Sequence, residues 1–275
     1  MEWAEAILRF DSPLFDAIRS PLSRLIPSAA WPGIAELNHL AAGLCNAREV
    51  PLRFIHAPAT ATAIEYESRI AETGEIATRE NNWHDLFNAL VWLSFPAAKS
   101  AISEMHAALL AERGEAEAKS RSVERDVLTL FDEGGIVIAC AEPMLAERIR
   151  GFRWRELFWE RRAECEAKLR CFLFGHAQFE KALDPYVGLT ARAVIVPVGE
   201  VFLAASREAK MATLDHQLAR WLMQKDNLRS SHHLHPFPIL GVPGWFASNE
   251  VESFYDNTGY FRPGRRPCGR EKEAA

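Results

Sequence analysis

The chain has 275 residues, 48% of them hydrophobic and 25% charged, so it is long enough and apolar enough to bury a core. With 37 acidic against 32 basic residues and a formal net charge of -5, it carries no electrostatic footprint for nonspecific nucleic-acid binding, and nucleic acid is not expected as a partner. No window approaches the ~20 apolar residues that span a bilayer, and the start Met1-Glu2-Trp3-Ala4-Glu5 is acidic where an export signal is basic, so a cytoplasmic protein without a membrane partner is expected.

Residues 1–50 read as short helices broken by Pro13, Pro21, Pro27 and Pro32, a segment wrapped on a single globular domain that comprises residues 1–275. Residues 66–79 are polar, with Gly74 marking a turn. The stretch from Asn81 to Trp92 then has an N-cap in Asn81 or Asn82, an apolar stripe of Trp83, Leu86, Phe87, Leu90 and Val91, and a stop at Pro96. A second amphipathic helix is predicted over about 97–112, followed by a charged loop to Glu124. The runs 127–131 and 136–139, separated by Asp132-Glu133-Gly134-Gly135, predict a β-hairpin at about 127–139. Helices are expected from about 143 to 182, a strand over 189–198, and a helix over about 206–224. Residues 227–263 are rich in Pro, Gly and aromatics and read as ordered coil with Trp245 mostly buried, and 264–275 as a flexible tail. The fold class that follows is α+β, mainly α-helical with a small sheet.

Opposite the apolar stripe of the Trp83 helix lie His84, Asp85, Asn88 and Trp92, with His84 and Asn88 one turn apart. Imidazole, carboxylate, amide and indole on one face suit a pocket wall, and they equally suit the bracing of neighbouring loops. His176 falls on an apolar stripe with Glu180 one turn later, a pair that fits either a metal edge and general base or a satisfied core histidine; the second histidine of HExxH is absent. Arg125 and Asp126 flank the first hairpin strand, where a carboxylate can hold a hard cation and an arginine can clamp an anion. Asp132 and Glu133 at the turn read as turn formers. The cluster Ser230-Ser231-His232-His233-Leu234-His235 reads as a solvated connector. Five cysteines (Cys45, Cys140, Cys165, Cys171, Cys268) without CxxC spacing disfavour a disulfide framework and a zinc knuckle. Phosphate-loop, dinucleotide, serine-hydrolase and kinase motifs are all absent.

The runs Arg79-Glu80-Asn81-Asn82-Trp83-His84-Asp85-Leu86-Phe87-Asn88, Arg125 to Glu133, Phe174-Gly175-His176 with Glu180, and Leu240 to Trp245 resemble the motif set of a bacterial family catalogued only as domain of unknown function 3025. The resemblance covers about 12–263 and implies no reaction, cofactor or partner. From the residues themselves, the expected function is that of an enzyme of the metal-assisted hydrolase class acting on a small molecule. Its candidate catalytic residues are His84, Asp85, Asn88, Arg125, Asp126, His176 and Glu180, and His84, Asp126, His176 and Glu180 are the candidate ligands of a divalent metal ion. The alternative is a noncatalytic ligand-binding or regulatory module in which these motifs brace the fold. The single-site reading requires His84, Asp85, Arg125 or Asp126, and His176 to converge.

Overall fold

Prolines punctuate the N-terminal segment, and in the computed structural model, which describes residues 1–28, 30–58, 63–114 and 120–264, two of them sit within helix starts. Pro13 opens the 3-10 helix Pro13–Ile18 and Pro21 is the third residue of the helix Arg19–Leu25. A first helical turn has no intrahelical acceptor for its N–H groups, so proline loses nothing there. Leu14, Phe15, Ile18, Leu22 and Leu25 are buried, which builds this segment into the core.

Two short strands that the polar text of this region conceals, β1 (Arg53–His56) and β2 (Glu75–Thr78), pair in parallel with Phe54 opposite Ile76. Helix α1 (Ala63–Thr73) connects them. Helix α2 (Trp83–Ser94) starts where the sequence indicates, with the Asn82 side chain accepting the Asp85 N–H at 3.0 Å. It ends before Pro96, which is the first residue of α3 (Pro96–Arg113).

The expected hairpin at 127–139 does not form. Residues Val123–Gly134 are helix α4, capped by Ser122, whose hydroxyl accepts the Arg125 N–H at 3.3 Å, with Glu124 and Asp126 in the first turn. Val127, Leu128 and Phe131 are buried on one face, a helical spacing that the short β-rich run concealed. Only Gly135–Cys140 is a strand, β3, buried along its whole length.

A second strand replaces expected helix: Leu169–Leu173 is β4, antiparallel to β3 with Ile136 opposite Leu173. Strand β5 (Thr190–Pro197), foreseen almost residue for residue, lies parallel to β3, and β6 (His235–Pro238) runs antiparallel to β5. The sheet order is β4-β3-β5-β6. Helices α5 (His176–Ala182) and α6 (Arg207–Leu222) pack against the body, the latter through buried Leu214, Leu218 and Leu222. The architecture is α+β and mainly helical, around one continuous apolar cluster.

The C-terminal segment is held by specific bonds. Asn249, fully buried, donates through Nδ2 to the carbonyls of Leu240 (2.8 Å) and Val242 (2.6 Å), and the Tyr255 hydroxyl donates to the Gly241 carbonyl. Trp245 keeps part of its surface exposed and packs against the apolar cluster. The expected tail lies outside the described residues from 265 onward, as does Cys268; the cysteines Cys45, Cys140, Cys165 and Cys171 are free thiols. Among the described residues, no helix is long and apolar enough to cross a membrane.

Candidate functional site

Three helix ends meet at one end of the four-stranded sheet. Helix α2 begins with Trp83-His84, helix α5 begins with His176, which follows β4 after Phe174-Gly175, and helix α4 ends with Asp132-Glu133-Gly134 directly before β3. The backbone locks two of them together: Gly175 N–H donates to the Gly135 carbonyl at 2.9 Å. A Cβ on Gly175 would sit 2.4 Å from the Glu133 carbonyl oxygen and from the Gly135 nitrogen, so only glycine allows this approach. The third element is joined through aromatic rings. Phe87 and Phe179, each one turn beyond a histidine (His84 and His176), stack with centroids 5.8 Å apart, and Phe15 stacks on both.

The result brings together two histidines 92 residues apart in sequence. His84 Nε2 and His176 Nε2 face each other at 3.0 Å, with the rings edge to face. Behind each ring stands a carboxylate: Glu180 Oε2 lies 3.5 Å from His84 Nδ1, and Asp132 Oδ2 lies 3.6 Å from His176 Nδ1. The second distance is too long for a hydrogen bond, and His176 Nδ1, though buried, has no partner at bonding distance. The Glu133 carboxylate approaches from the solvent side, its Oε2 3.7 Å from His176 Nε2. Ligand atoms of His84, Glu133 and His176 all lie within 4.8 Å of one another, so the three could hold a metal ion.

Exposure grades the site from mouth to interior. The Glu133 and Glu180 side chains are 47% and 48% exposed and that of His84 36%, whereas that of His176 is 6% exposed. Burial pulls the His176 imidazole down to about 4, against an opposing pull from Asp132, so its ring is neutral at pH 7 and offers a free lone pair. Deeper still, Lys99 Nζ donates to Asp132 Oδ1 at 2.5 Å. Burial alone would raise the Asp132 carboxyl, yet Lys99 and then His176 hold it below its ordinary value. Beyond this pair, the Ser103 hydroxyl donates to Glu67 Oε2 at 2.8 Å, and burial with the Asp132 charge pushes Glu67 up to about 7.

Of the residues that the sequence singles out, His84, His176 and Glu180 share the site. Glu180 backs His84, not His176, because its position one turn along α5 carries it past the His176 ring toward the α2 start. Asn88 lies one turn inward on α2, donating through Nδ2 to the Tyr66 hydroxyl at 2.8 Å while its buried Oδ1 has no partner. Asp85 turns away, accepting the Arg79 N–H at 2.7 Å and pairing with the Arg79 guanidinium at 2.8 Å; it braces the loop into α2. Arg125 is buried one layer in, its Nε donating to His106 Nδ1 at 3.2 Å. Asp126 is exposed on the first turn of α4, at the opposite end of that helix from Glu133, because the strand it was expected to flank is helix. The His232 to His235 run is a 3-10 turn leading into β6, and none of its histidines belongs to the group formed by His84, Glu133 and His176. Sequence reasoning set Asp132 and Glu133 aside as turn formers and did not single out Lys99. The signal was present in the acidic pair closing a capped helix.

Two clefts, of about 740 and 920 Å³, are lined by residues other than the histidine pair. No curated protein and no solved structure matches the chain. A family model does match, over residues 52–265, starting later than the resemblance suggested and excluding the N-terminal helices. All of the histidine, carboxylate and lysine side chains just described fall within that span, and the chain belongs to the family described as Protein of unknown function (DUF3025).

Proposed function

We propose that this protein is a metal-dependent enzyme of the hydrolytic class, with a divalent cation held by His84 Nε2, His176 Nε2 and a Glu133 oxygen. One observation carries the reading: two imidazoles aim the same nitrogen at one point while a carboxylate stands behind the other nitrogen of each. Metal-binding histidines are held in this way, a carboxylate accepting Nδ1–H and so fixing the tautomer that leaves Nε2 as the donor; the two carboxylates stand at 3.5 and 3.6 Å, and each would close to hydrogen-bond distance as its ring turned toward the ion. Bonds of ~2.0–2.1 Å in tetrahedral geometry place two nitrogens roughly 3.3 Å apart. The observed 3.0 Å requires a shift of only a few tenths of an ångström.

Two histidines and one carboxylate leave further coordination positions open, which suits a bound water rather than a closed structural site. The ion would supply a hydroxide nucleophile and Lewis acidity at neutral pH. The chain supplies the rest: Asp132 and Glu180 orient the ligands, Lys99 keeps Asp132 ionised, and the Phe87–Phe179 stack fixes the separation of the two helices. The competing reading, a His–His hydrogen bond that braces α2 against α5, has the 3.0 Å distance in its favour.

Metal analysis of protein purified without a histidine tag separates the two. One equivalent of zinc, manganese or iron, lost in His84→Ala, His176→Ala and Glu133→Ala and retained in Asp126→Ala, is the expected result. Chelator-sensitive hydrolysis of a p-nitrophenyl ester or phosphodiester completes the case. Failure of the protein to take up any of these metals on titration, after chelator treatment, defeats the proposal and leaves the bracing role.

A further inference from the structure

A cleft of about 920 Å³ lies between β5, β6 and the turn after the helix Pro143–Arg150. Its polar wall holds Arg192, Arg262, His232 and His235, and no aspartate or glutamate lines it. In a chain with more acids than bases this is a local reversal of sign. The side chain of Arg192, half-buried on β5, has no hydrogen bond or ion pair among the described residues. The Arg262 guanidinium is held only through Nε, which donates to the Gly259 carbonyl at 3.0 Å. A half-buried guanidinium without an acceptor keeps the cost of partial desolvation and gains nothing in return, so it is matched to an anion brought by a ligand.

The apolar wall is aromatic and preformed. Phe152 and Trp154 stand edge to face with centroids 5.6 Å apart, and Trp154 Nε1 donates to the Arg262 carbonyl at 3.0 Å, tying the wall to the arginine. Phe152 adopts φ 55, the left-handed region in which a bulky side chain is an outlier. Such strain marks a position where the surroundings dictate the placement of a side chain, as at ligand clamps. Gly264 closes against the ring from behind: a Cβ there would lie 2.6 Å from it. The far rim is fixed by Tyr260, whose hydroxyl donates to the Leu189 carbonyl at 2.7 Å and accepts the Leu240 N–H at 2.9 Å.

We infer that this cleft binds a planar aromatic molecule carrying an anionic group, of the kind represented by a nucleoside monophosphate, with the ring against Phe152 and the phosphate between Arg192 and Arg262. Its volume lies within the ~300–1,000 Å³ usual for small-molecule sites. Aromatic stacking and bidentate guanidinium contacts are the two interactions that recognise the two halves of such a ligand. The inference stands independently of the metal site, which lies at the β4–β3 side of the sheet, whereas the cleft lies at the β5–β6 side.

Titration calorimetry of the full chain with AMP, adenosine and inorganic phosphate tests it. AMP is expected to bind at least about tenfold more tightly than adenosine or phosphate alone, and added salt to weaken AMP more than adenosine. Arg192→Gln should lower AMP affinity about tenfold or more while leaving adenosine unaffected. Phe152→Gly should weaken both, and because glycine accepts the left-handed backbone, the melting temperature should stay within a few degrees of the parent's. Absence of AMP binding, AMP binding no tighter than adenosine or phosphate, or full AMP affinity in both variants would each overturn the inference.

Discussion

At the scale of single residues, the two histidines of the site differ in what their removal should do. His84 is partly exposed, so in metal-free protein its loss removes little packing, and the opening it leaves at the mouth lets water replace it as the 3.0 Å partner of His176 Nε2. His176 is buried and packs between Asp132, Glu133 and the first turn of α5. In chelator-treated protein His84→Ala should therefore shift the melting temperature little, while His176→Ala should cost about 1–3 kcal/mol. Added metal should raise the melting temperature of the parent and of neither variant, since binding to the folded state alone stabilises it by mass action. Thermal unfolding with and without metal decides; His84→Ala proving the more damaging, with no metal effect on the parent, would make the pair a brace. Lys99 presents a harsher case, because its side chain is 4% exposed and its partner Asp132 13%. Lys99→Met should cost about 3–5 kcal/mol by leaving a buried carboxylate uncompensated, and the double variant Lys99→Met, Asp132→Leu should recover much of that loss in a stability cycle.

Between elements, the site depends on how closely β4 and β3 bring the α5 start to the α4 end. Gly175 is the contact point, and Gly175→Ala cannot be absorbed by a side-chain movement because the opposing atoms are backbone. The variant should lose about 1–3 kcal/mol of stability and, by pushing His176 away from Glu133, weaken metal uptake more than Asp126→Ala does. Calorimetric titration of a metal into both variants makes that comparison, and equal affinities would show that the ligands do not depend on this contact. The same junction explains what was legible beforehand. Helix α2 could be read because Asn82 and Pro96 mark its ends and its stripe is long. Helix α4 could not, since its apolar residues are short and β-prone, and Asp132-Glu133-Gly134-Gly135 has the composition of a turn although it is a helix ending in glycine. Strand β4 was read as helix because five residues that end at a helix start inherit that helix's apparent periodicity. Thus His84 and His176 were found as chemistry-bearing residues, while Glu133 and Lys99, which owe their roles to α4 being a helix, were not.

For the molecule as a whole, the buried polar layer beneath the site sets how stability depends on pH, and two of its groups act with opposite sign. His106, 6% exposed, is pulled down from 6.5 to about 4, first by burial and then by the Arg125 charge. Its depressed value means that unfolding takes up a proton between these limits: its contribution is present above pH 6.5 and is lost as pH falls toward 4. Glu67 is pushed up from 4.5 to about 7, first by burial and then by Asp132. Its raised value means that unfolding releases a proton: its contribution is present below pH 4.5 and is lost as pH rises toward 7. Between pH 4.5 and 6.5 the two therefore oppose one another, each with a limiting slope of about 1.4 kcal/mol per pH unit. Asp132, held below its ordinary value of 3.8, titrates outside this window, and His176, which acts in the same direction as His106, is common to all the variants compared. Removing His106 as His106→Gln should tilt the stability curve so that it falls more with rising pH than the parent's. Removing the ionisable group of Glu67 as Glu67→Gln should tilt it the other way, toward greater stability at pH 6.5 than at 4.5. Denaturant unfolding at half-unit steps of pH, in the presence of chelator, measures the slopes directly. Parallel curves for the parent and both variants would mean that these groups titrate alike in the folded and unfolded chains, and that the layer beneath the histidine pair is wetter than its burial implies.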